Sequence, residues 1–313
     1  VTQTRILPAD QAGLTEAAAL ILRGLPVAVP TETVYGLAGD ATSGEAVAAI
    51  YAAKGRPSFN PLIVHVTSLT MAERVASFSP LARRLADSFW PGPLTMVLPA
   101  TAGSPVASLT TAGLPTIAVR MPAHPTMRAL IEAAGRPLAA PSANASGSIS
   151  ATRATHVARS LGGRIALVLD AGPTEVGIES TIVAVETDRL RLLRPGSITA
   201  TMLADVAGVP VEATDTGAIE APGQMTSHYA PSKPVRLEAT TARAGEYLVG
   251  FGEVTGDASL SLRGDLIEAA ARLFDLLHAA DQSDAIAIAV APIPHDGLGL
   301  AINDRLKRAA APR

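Results

Sequence analysis

Lys54-Gly-Arg-Pro-Ser-Phe-Asn-Pro-Leu-Ile-Val-His65 holds the junction from which the fold is read. Ahead of it, Ser43 has the side chain of an N-cap, and Glu45 falls in the first turn of a helical pattern running to about Lys54. Behind it, Leu62 to Val66 is an apolar run of strand length. A helix handing over to a buried strand through a proline-stiffened loop is a unit of α/β architecture. The same loop gathers two cations, Lys54 and Arg56, with the hydrogen-bonding side chains of Ser58, Asn60 and His65. In an extended segment the two cations leave the same face and can close on one group of phosphate oxygens. For this run alone, a solvated basic pair at a helix C-terminus explains the residues about as well.

The flanking sequence repeats the alternation. Apolar residues recur at helical spacing from Gln11 to Arg23, stop at Gly24, and give way to a buried strand over Pro26 to Pro30. Helical pattern returns from Ser68 to Phe89 with a break near Pro80, and Trp90-Pro91-Gly92-Pro93 ends it before a strand over Leu94 to Leu98. Thr116 to Met121 reads as a strand, His124 to Ala134 as a helix, and Pro137 to Ala140 as a strand delivering Ser142 and Asn144 into a loop. Ala166 to Leu169, Thr181 to Val185 and Leu190 to Leu193 are further strands, the last two close enough to be an antiparallel pair. The expectation is an α/β protein with a twisted mixed sheet, parallel and antiparallel. Regular patterning fails between about Gly208 and Lys233, around Gln224-Met225-Thr226-Ser227-His228-Tyr229. Beyond that linker come strands at Val235 to Leu237, Tyr247 to Phe251 and Ala285 to Val290, with helices over Asp265 to Ala280 and about Leu300 to Ala310. The domains expected are 1–207, a linker at 208–234, and a small Rossmann-like α/β domain at 235–313.

Composition narrows the chemistry. The 313 residues are 48% hydrophobic with one Trp, four Tyr and five Phe, which suits helices lying on a Val- and Ile-rich sheet. A net charge of −3 gives no general reason to bind nucleic acid, so basic surface must be local. Without cysteine there is no disulfide, thiolate catalysis or cysteine zinc site. No segment reaches the roughly 18 apolar residues of a membrane span and no signal-peptide pattern begins the chain, so a cytoplasmic location is expected.

Other segments add chemistry. Thr31-Glu32-Thr33-Val34-Tyr35-Gly36 packs hydroxyls, a carboxylate and a phenol into a turn after a buried strand, where open α/β sheets place ligands; a self-bonded hydroxyl-rich turn reads similarly. Pro141-Ser-Ala-Asn-Ala-Ser-Gly147 leaves another strand with small polar residues that let backbone approach a ligand, and Ser150 or Thr152 could cap the next helix. Arg120 ends an apolar run and needs an anion, either a substrate carboxylate or a structural Asp or Glu. Walker A, His-Glu-x-x-His and Gly-x-Ser-x-Gly patterns are absent, and Gly250 to Gly256 misses the dinucleotide spacing. His124, His156, His278 and His295 read as ordinary surface residues.

Taken together, Thr-Glu-Thr-Val-Tyr-Gly-Leu at 31–37, Lys-Gly-Arg-Pro at 54–57 with Asn60-Pro61-Leu62 and His65, Pro-Ser-Ala-Asn-x-Ser-Gly at 141–147, Ser180-Thr181 and Arg194-Pro195-Gly196 resemble the YrdC-like threonylcarbamoyl-adenylate synthases. The match in order and spacing covers about residues 10–205, and His228-Tyr229 with a trailing small domain resembles the long, two-domain form. The resemblance implies condensation of L-threonine, bicarbonate and ATP to threonylcarbamoyl-adenylate and pyrophosphate, for modification of the tRNA adenosine next to the anticodon. It implies ATP contacts at Lys54, Arg56, Asn60, Thr116, Ser142, Asn144, Ser150, Arg194 and His228. Threonine contacts fall on Thr33, His65, Arg120, the backbone of Ala140, and Ser180. Lys54 and Arg56 are the expected catalytic cations, His228 and Tyr229 the expected lid. Mg2+ would arrive with the ATP phosphates, no organic cofactor is implied, and the product would pass to tRNA threonylcarbamoyl-transfer proteins. Stable direct tRNA binding is not expected. An RNA-binding module on the same fold is disfavoured by net acidity, and the carbamoyl-transfer domain of hydrogenase maturation proteins by the lack of cysteine.

Overall fold

The computed structural model describes residues 3–213, 220–222 and 228–312, so Gln224 to Ser227 and much of the expected linker lie outside the described residues. The strands are β1 (Arg5–Pro8), β2 (Val27–Pro30), β3 (Tyr35–Asp40), β4 (Ile63–His65), β5 (Leu94–Pro99), β6 (Thr116–Arg120), β7 (Leu138–Ala139), β8 (Leu167–Asp170), β9 (Thr181–Val185), β10 (Leu190–Arg194) and β11 (Val211–Ala213), then β12 (Val235–Arg236), β13 (Glu246–Gly250), β14 (Ala258–Ser259) and β15 (Ala287–Val290). The α-helices are α1 (Gln11–Leu22), α2 (Gly44–Lys54), α3 (Leu69–Glu73), α4 (Pro80–Phe89), α5 (Pro125–Ala134), α6 (Ala154–Leu161), α7 (Ala200–Ala207), α8 (Leu266–Gln282) and α9 (Gly299–Ala309).

The first eleven strands form one sheet in the order β1-β8-β2-β3-β7-β4-β6-β5-β9-β10-β11, with parallel and antiparallel pairs, as expected. β9 and β10 are the antiparallel pair read from their short connection. β12 to β15 make a second sheet, parallel throughout, in the order β12-β15-β13-β14. With four strands it is a small parallel α/β unit and shorter than the six-strand doubly wound order. Three local expectations change. The Thr-rich turn ends at Val34, because Tyr35 already pairs with Pro30 in the β2–β3 ladder. β11 pairs with β10, so residues 211–213 belong to the large sheet rather than to the linker. α6 begins after Arg153, which makes no side-chain cap, so neither Ser150 nor Thr152 caps it.

Alternation along the strands sorts side chains to two faces. Ala28, Leu37, Val64, Met96 and Val119 meet α2, α4, α6 and α7 on one face. Val27, Val29, Ala38 and Leu138 meet α1 and α5 on the other. Further along that second face Ile63, Val97, Ala118, Ile182, Ala184 and Leu193 cluster with Ala221 of the interdomain segment. This part of the face borders the site, Ile63 belonging to both. A bulge between Leu192 and Arg194 lets consecutive residues Leu193 and Arg194 share this face.

Candidate active site

Two halves build the site. In the first, the ends of β4, β6 and β5 lie side by side: His65 pairs with Arg120, and Arg120 with Thr95. Arg120 donates from Nε to the Gly92 carbonyl (3.2 Å), from Nη1 to Thr33 Oγ1 (3.0 Å) and from Nη2 to Glu32 Oε1 (2.7 Å). The cation whose anion sequence left open therefore has a structural one, Glu32, in a pair with both side chains buried. Burial alone would raise the Glu32 carboxyl, and Arg120 holds it below the ordinary value. Thr31 bonds its own turn through Val34, while Thr33 Oγ1 sits 2.8 Å from Thr31 Oγ1 and faces Arg120. His65 Nδ1 lies 3.2 Å from the Ile63 carbonyl. Burial pulls its pKa down to about 3, with Arg120 acting in the same direction, so the ring is neutral. An Nδ1–H donating to that carbonyl leaves Nε2 as an acceptor. Ser180 Oγ is 2.8 Å from Thr95 Oγ1 and accepts from Arg194 Nη2 (3.1 Å).

The second half is cationic. Ser43 caps α2 at Ala46 N, and Gly55, in the left-handed conformation (φ 60°), ends the helix and turns Arg56 inward. Lys54 and Arg56 are therefore brought together by a helix cap rather than by the extended segment expected, and both are buried, which rules out the solvated-pair reading. Arg56 donates to the carbonyls of Asn60 (3.3 Å) and Pro61 (3.1 Å). Lys54 Nζ donates to the carbonyls of Ser142 and Asn144, clamping the 141–147 loop onto the end of α2. Arg194 donates to the Ser180 carbonyl (3.0 Å) and the Pro222 carbonyl (3.3 Å). Burial lowers the pKa of all three cations, Arg56 to about 10, and Arg56 lowers Lys54 further. Lys54 and Arg194, distant in sequence, both lie close enough to His228 and Glu179 to act on them electrostatically.

Of the expected residues, Thr33, Arg56, His65, Arg120, Ala140, Ser142, Ser180, Arg194, His228 and Tyr229 line one cavity, with Thr31, Ile63, Pro141, Glu179 and Pro222. Lys54, Asn60, Asn144 and Ser150 stand behind that lining. Asn144 Nδ2 donates to Ala145 O and Ser148 O, and Ser150 donates to Glu179. Thr116 begins β6, four residues before Arg120, so the strand rise places it roughly 13 Å farther along the same sheet face. The cavity is small, about 40 Å3, room for a few waters. His228 and Tyr229 occupy the space above it, their rings 4.1 Å apart, edge to face. Tyr229 has φ 61°, unfavourable for a tyrosine, and is held by Phe274 at 5.6 Å and by Arg305, 5.4 Å from the ring centroid.

The sequence assigned no role to Glu179, which lines the cavity, or to Arg305, and read Glu32 only as part of the 31–36 turn, not as the partner of Arg120. Glu179 carried one signal, a carboxylate directly before the Ser180-Thr181 pair; Arg305 looked like any charge on the last helix. Two histidines also depart from expectation: His156 is buried and stacks on His278 at 3.9 Å, where α8 meets the first unit, and His278 Nε2 lies 3.0 Å from the Ser150 carbonyl.

Residues 19–196 match the family model described as Telomere recombination, and residues 198–311 the model described as Threonylcarbamoyl-AMP synthase, C-terminal domain. Threonylcarbamoyl-AMP synthase of Bacillus subtilis (strain 168) is 39% identical over 344 residues, covering 100% of this chain and 97% of the relative. Threonylcarbamoyl-AMP synthase of Pyrococcus abyssi (strain GE5 / Orsay) is 40% identical over 323 residues, covering 95% and 94%. The crystal structure of P. abyssi Sua5 complexed with L-threonine matches with a TM-score of 0.88 at 36% identity, over 99% of this chain and 97% of that one. The two-sheet fold, the cationic cavity and these full-length likenesses agree that the chain belongs to the threonylcarbamoyl-AMP synthase family.

Proposed function

We propose that the cavity joins L-threonine, bicarbonate and ATP into threonylcarbamoyl-adenylate and pyrophosphate. The observation that carries this reading is the meeting, in one cavity, of polar side chains (Thr33, His65, Arg120, Ser180) with the buried cations Arg56 and Arg194, Lys54 standing behind them. Three cations whose charge is opposed by burial and by one another, with Glu179 as the lining carboxylate among them, favour a polyanion. Arg120 uses three of its five N–H groups on protein acceptors, leaving donors for the threonine carboxylate. Neutral His65 accepts the threonine hydroxyl at Nε2, and Ala140 offers backbone to the amine.

The threonine amine, once neutral, attacks the bicarbonate carbon and water leaves. A carbamate oxygen then attacks the α-phosphorus of ATP, the bond to the β-phosphate oxygen breaks, and pyrophosphate departs with the charge. Arg56 and Arg194 stabilise that charge as it develops, Lys54 holds the 141–147 loop against the nucleotide, and positioning supplies the rest. Among the described residues no group of three or more His, Asp or Glu could hold a metal ion. Glu179 is engaged by Arg305 and Ser150, so an Mg2+ ion arriving with ATP would be held by the nucleotide rather than by this carboxylate and would supply further charge neutralisation.

The cavity with His228 and Tyr229 inserted is too small for ATP, so the pair swings out for loading and closes to keep the carbamate from water. The product serves tRNA threonylcarbamoyl-transfer proteins in the cytoplasm; among the described residues no helix is long and apolar enough to cross a membrane. Incubation of the protein with ATP, Mg2+, bicarbonate and labelled threonine should give a labelled adenylate and pyrophosphate in equal amounts. ATP turnover independent of threonine would refute the reading.

A further inference from the structure

Arg305 lies on α9 of the second unit, yet it is fully buried against the wall of the cavity in the first. Its Nε donates to Glu179 Oε2 (2.9 Å), its Nη1 to the Pro195 carbonyl (2.8 Å) and to Asp304 (2.8 Å), and its guanidinium carbon lies 5.4 Å from the centroid of the Tyr229 ring. Glu179 lines the cavity beside Arg194, and its other oxygen accepts from Ser150. A carboxylate there is a liability for a triphosphate site: left uncompensated, it draws on the charge of Lys54 and Arg194 and repels phosphate oxygens.

We infer that Arg305 is a positioning residue by which the second unit completes the nucleotide site: it neutralises Glu179, fixes it on Ser150, and seats the Tyr229 ring. The inference rests on the reading of the cavity as the triphosphate site. It gives the C-terminal unit a function at the reaction centre, although none of that unit's described residues lines the cavity. Physically, Glu179 and Arg305 form a neutral unit, so the lining cations keep their full charge for ATP, and the Tyr229 ring rests on a fixed guanidinium rather than on loose side chains.

The test is a charge cycle in the full-length chain: wild type, Arg305→Met, Glu179→Gln and the double variant, each assayed for threonylcarbamoyl-adenylate synthesis with KM for ATP and for threonine measured separately. Arg305→Met should raise the KM for ATP by about tenfold or more, because it leaves a buried charge unpaired beside the phosphates. In the Glu179→Gln background the same Arg305→Met change should alter the KM for ATP by less than about threefold, since no buried carboxylate is then left unpaired. An Arg305→Met effect on the KM for ATP as large in the Glu179→Gln background as in the wild type, or a loss confined to kcat, would overturn the inference. Should Arg305→Met fail to fold by circular dichroism, the double variant against Glu179→Gln decides, KM values for ATP within about threefold supporting the inference and a larger difference refuting it. An inactive wild type would instead refute the proposed function, so the two failures are distinguishable.

Discussion

Replacing Gly177 with alanine tests whether the two units act as one body. Gly177 has φ +76°, and a Cβ built on it would lie 2.4 Å from the Ala270 carbonyl oxygen and 2.5 Å from the Cα and carbonyl oxygen of Ala271, all backbone of α8. Holding alanine in the left-handed region costs about 1 kcal/mol. Overpacking against backbone that cannot rotate aside adds about 1–3 kcal/mol. Gly172 is the control: its φ is +84°, yet an added Cβ would meet nothing within 4 Å, so only the conformational cost applies. Gly177→Ala should therefore lose about 1–3 kcal/mol more than Gly172→Ala in urea unfolding. The relief must come from moving α8 or the 176–180 segment. Val176 N donates to the Glu32 carbonyl and Glu179 holds Arg305, so either movement reaches the site. Hydrogen exchange should quicken in α8 and at residues 178–180, and adenylate synthesis should fall with it. Equal losses in the two variants, or unchanged protection of α8, would refute the reasoning.

Other expectations follow from the same contacts. The pKa of His65 is depressed from 6.5 to about 3, so its contribution to stability is present above pH 6.5 and lost as pH falls through 3; at pH 5 that loss is about 2 kcal/mol, and His65→Gln should flatten the urea-midpoint profile between pH 7 and 5. Arg120→Lys keeps the charge but loses the fork onto Glu32 and Thr33, so the KM for threonine should rise by about tenfold with little change in the KM for ATP; equal rises in both would contradict separate subsites. Replacing His228 and Tyr229 together with alanine should lower adenylate yield per ATP consumed, and an unchanged ratio would dismiss the lid. Arg153 grips Asp275 of α8 with a bidentate pair that is only partly exposed, Thr152 donating to the same carboxylate, so Asp275→Asn should cost about 1 kcal/mol and somewhat less at high salt, checked by thermal unfolding.

The first unit was largely legible because its signals are local. The helix from Ser43 to Lys54 carries its own cap and stop, and β4, β5, β6, β9 and β10 announce themselves as apolar runs between turns. What stayed hidden is short or lacks periodicity: β1, β11, β14 and α7 hold eight residues or fewer and are fixed by their neighbours. The candidate site divides in the same way. Small polar loops beside Lys54, Arg56, Ser142 and Ser180 marked it, whereas Thr116, aligned by resemblance with the nucleotide contacts, stands well away from the cavity.

By itself the sequence determined most of the longer helices and strands, and which loops carry hydroxyls and cations, since capping, periodicity and turn chemistry act over a few residues. Only the tertiary structure decided what each charge faces. Glu32 meets Arg120 across 88 residues and Glu179 meets Arg305 across 126, because sheet order and the seating of α8 and α9 place them there. Burial then sets the electrostatics, since a lysine or histidine read as an ordinary surface charge becomes something else once water is removed from around it.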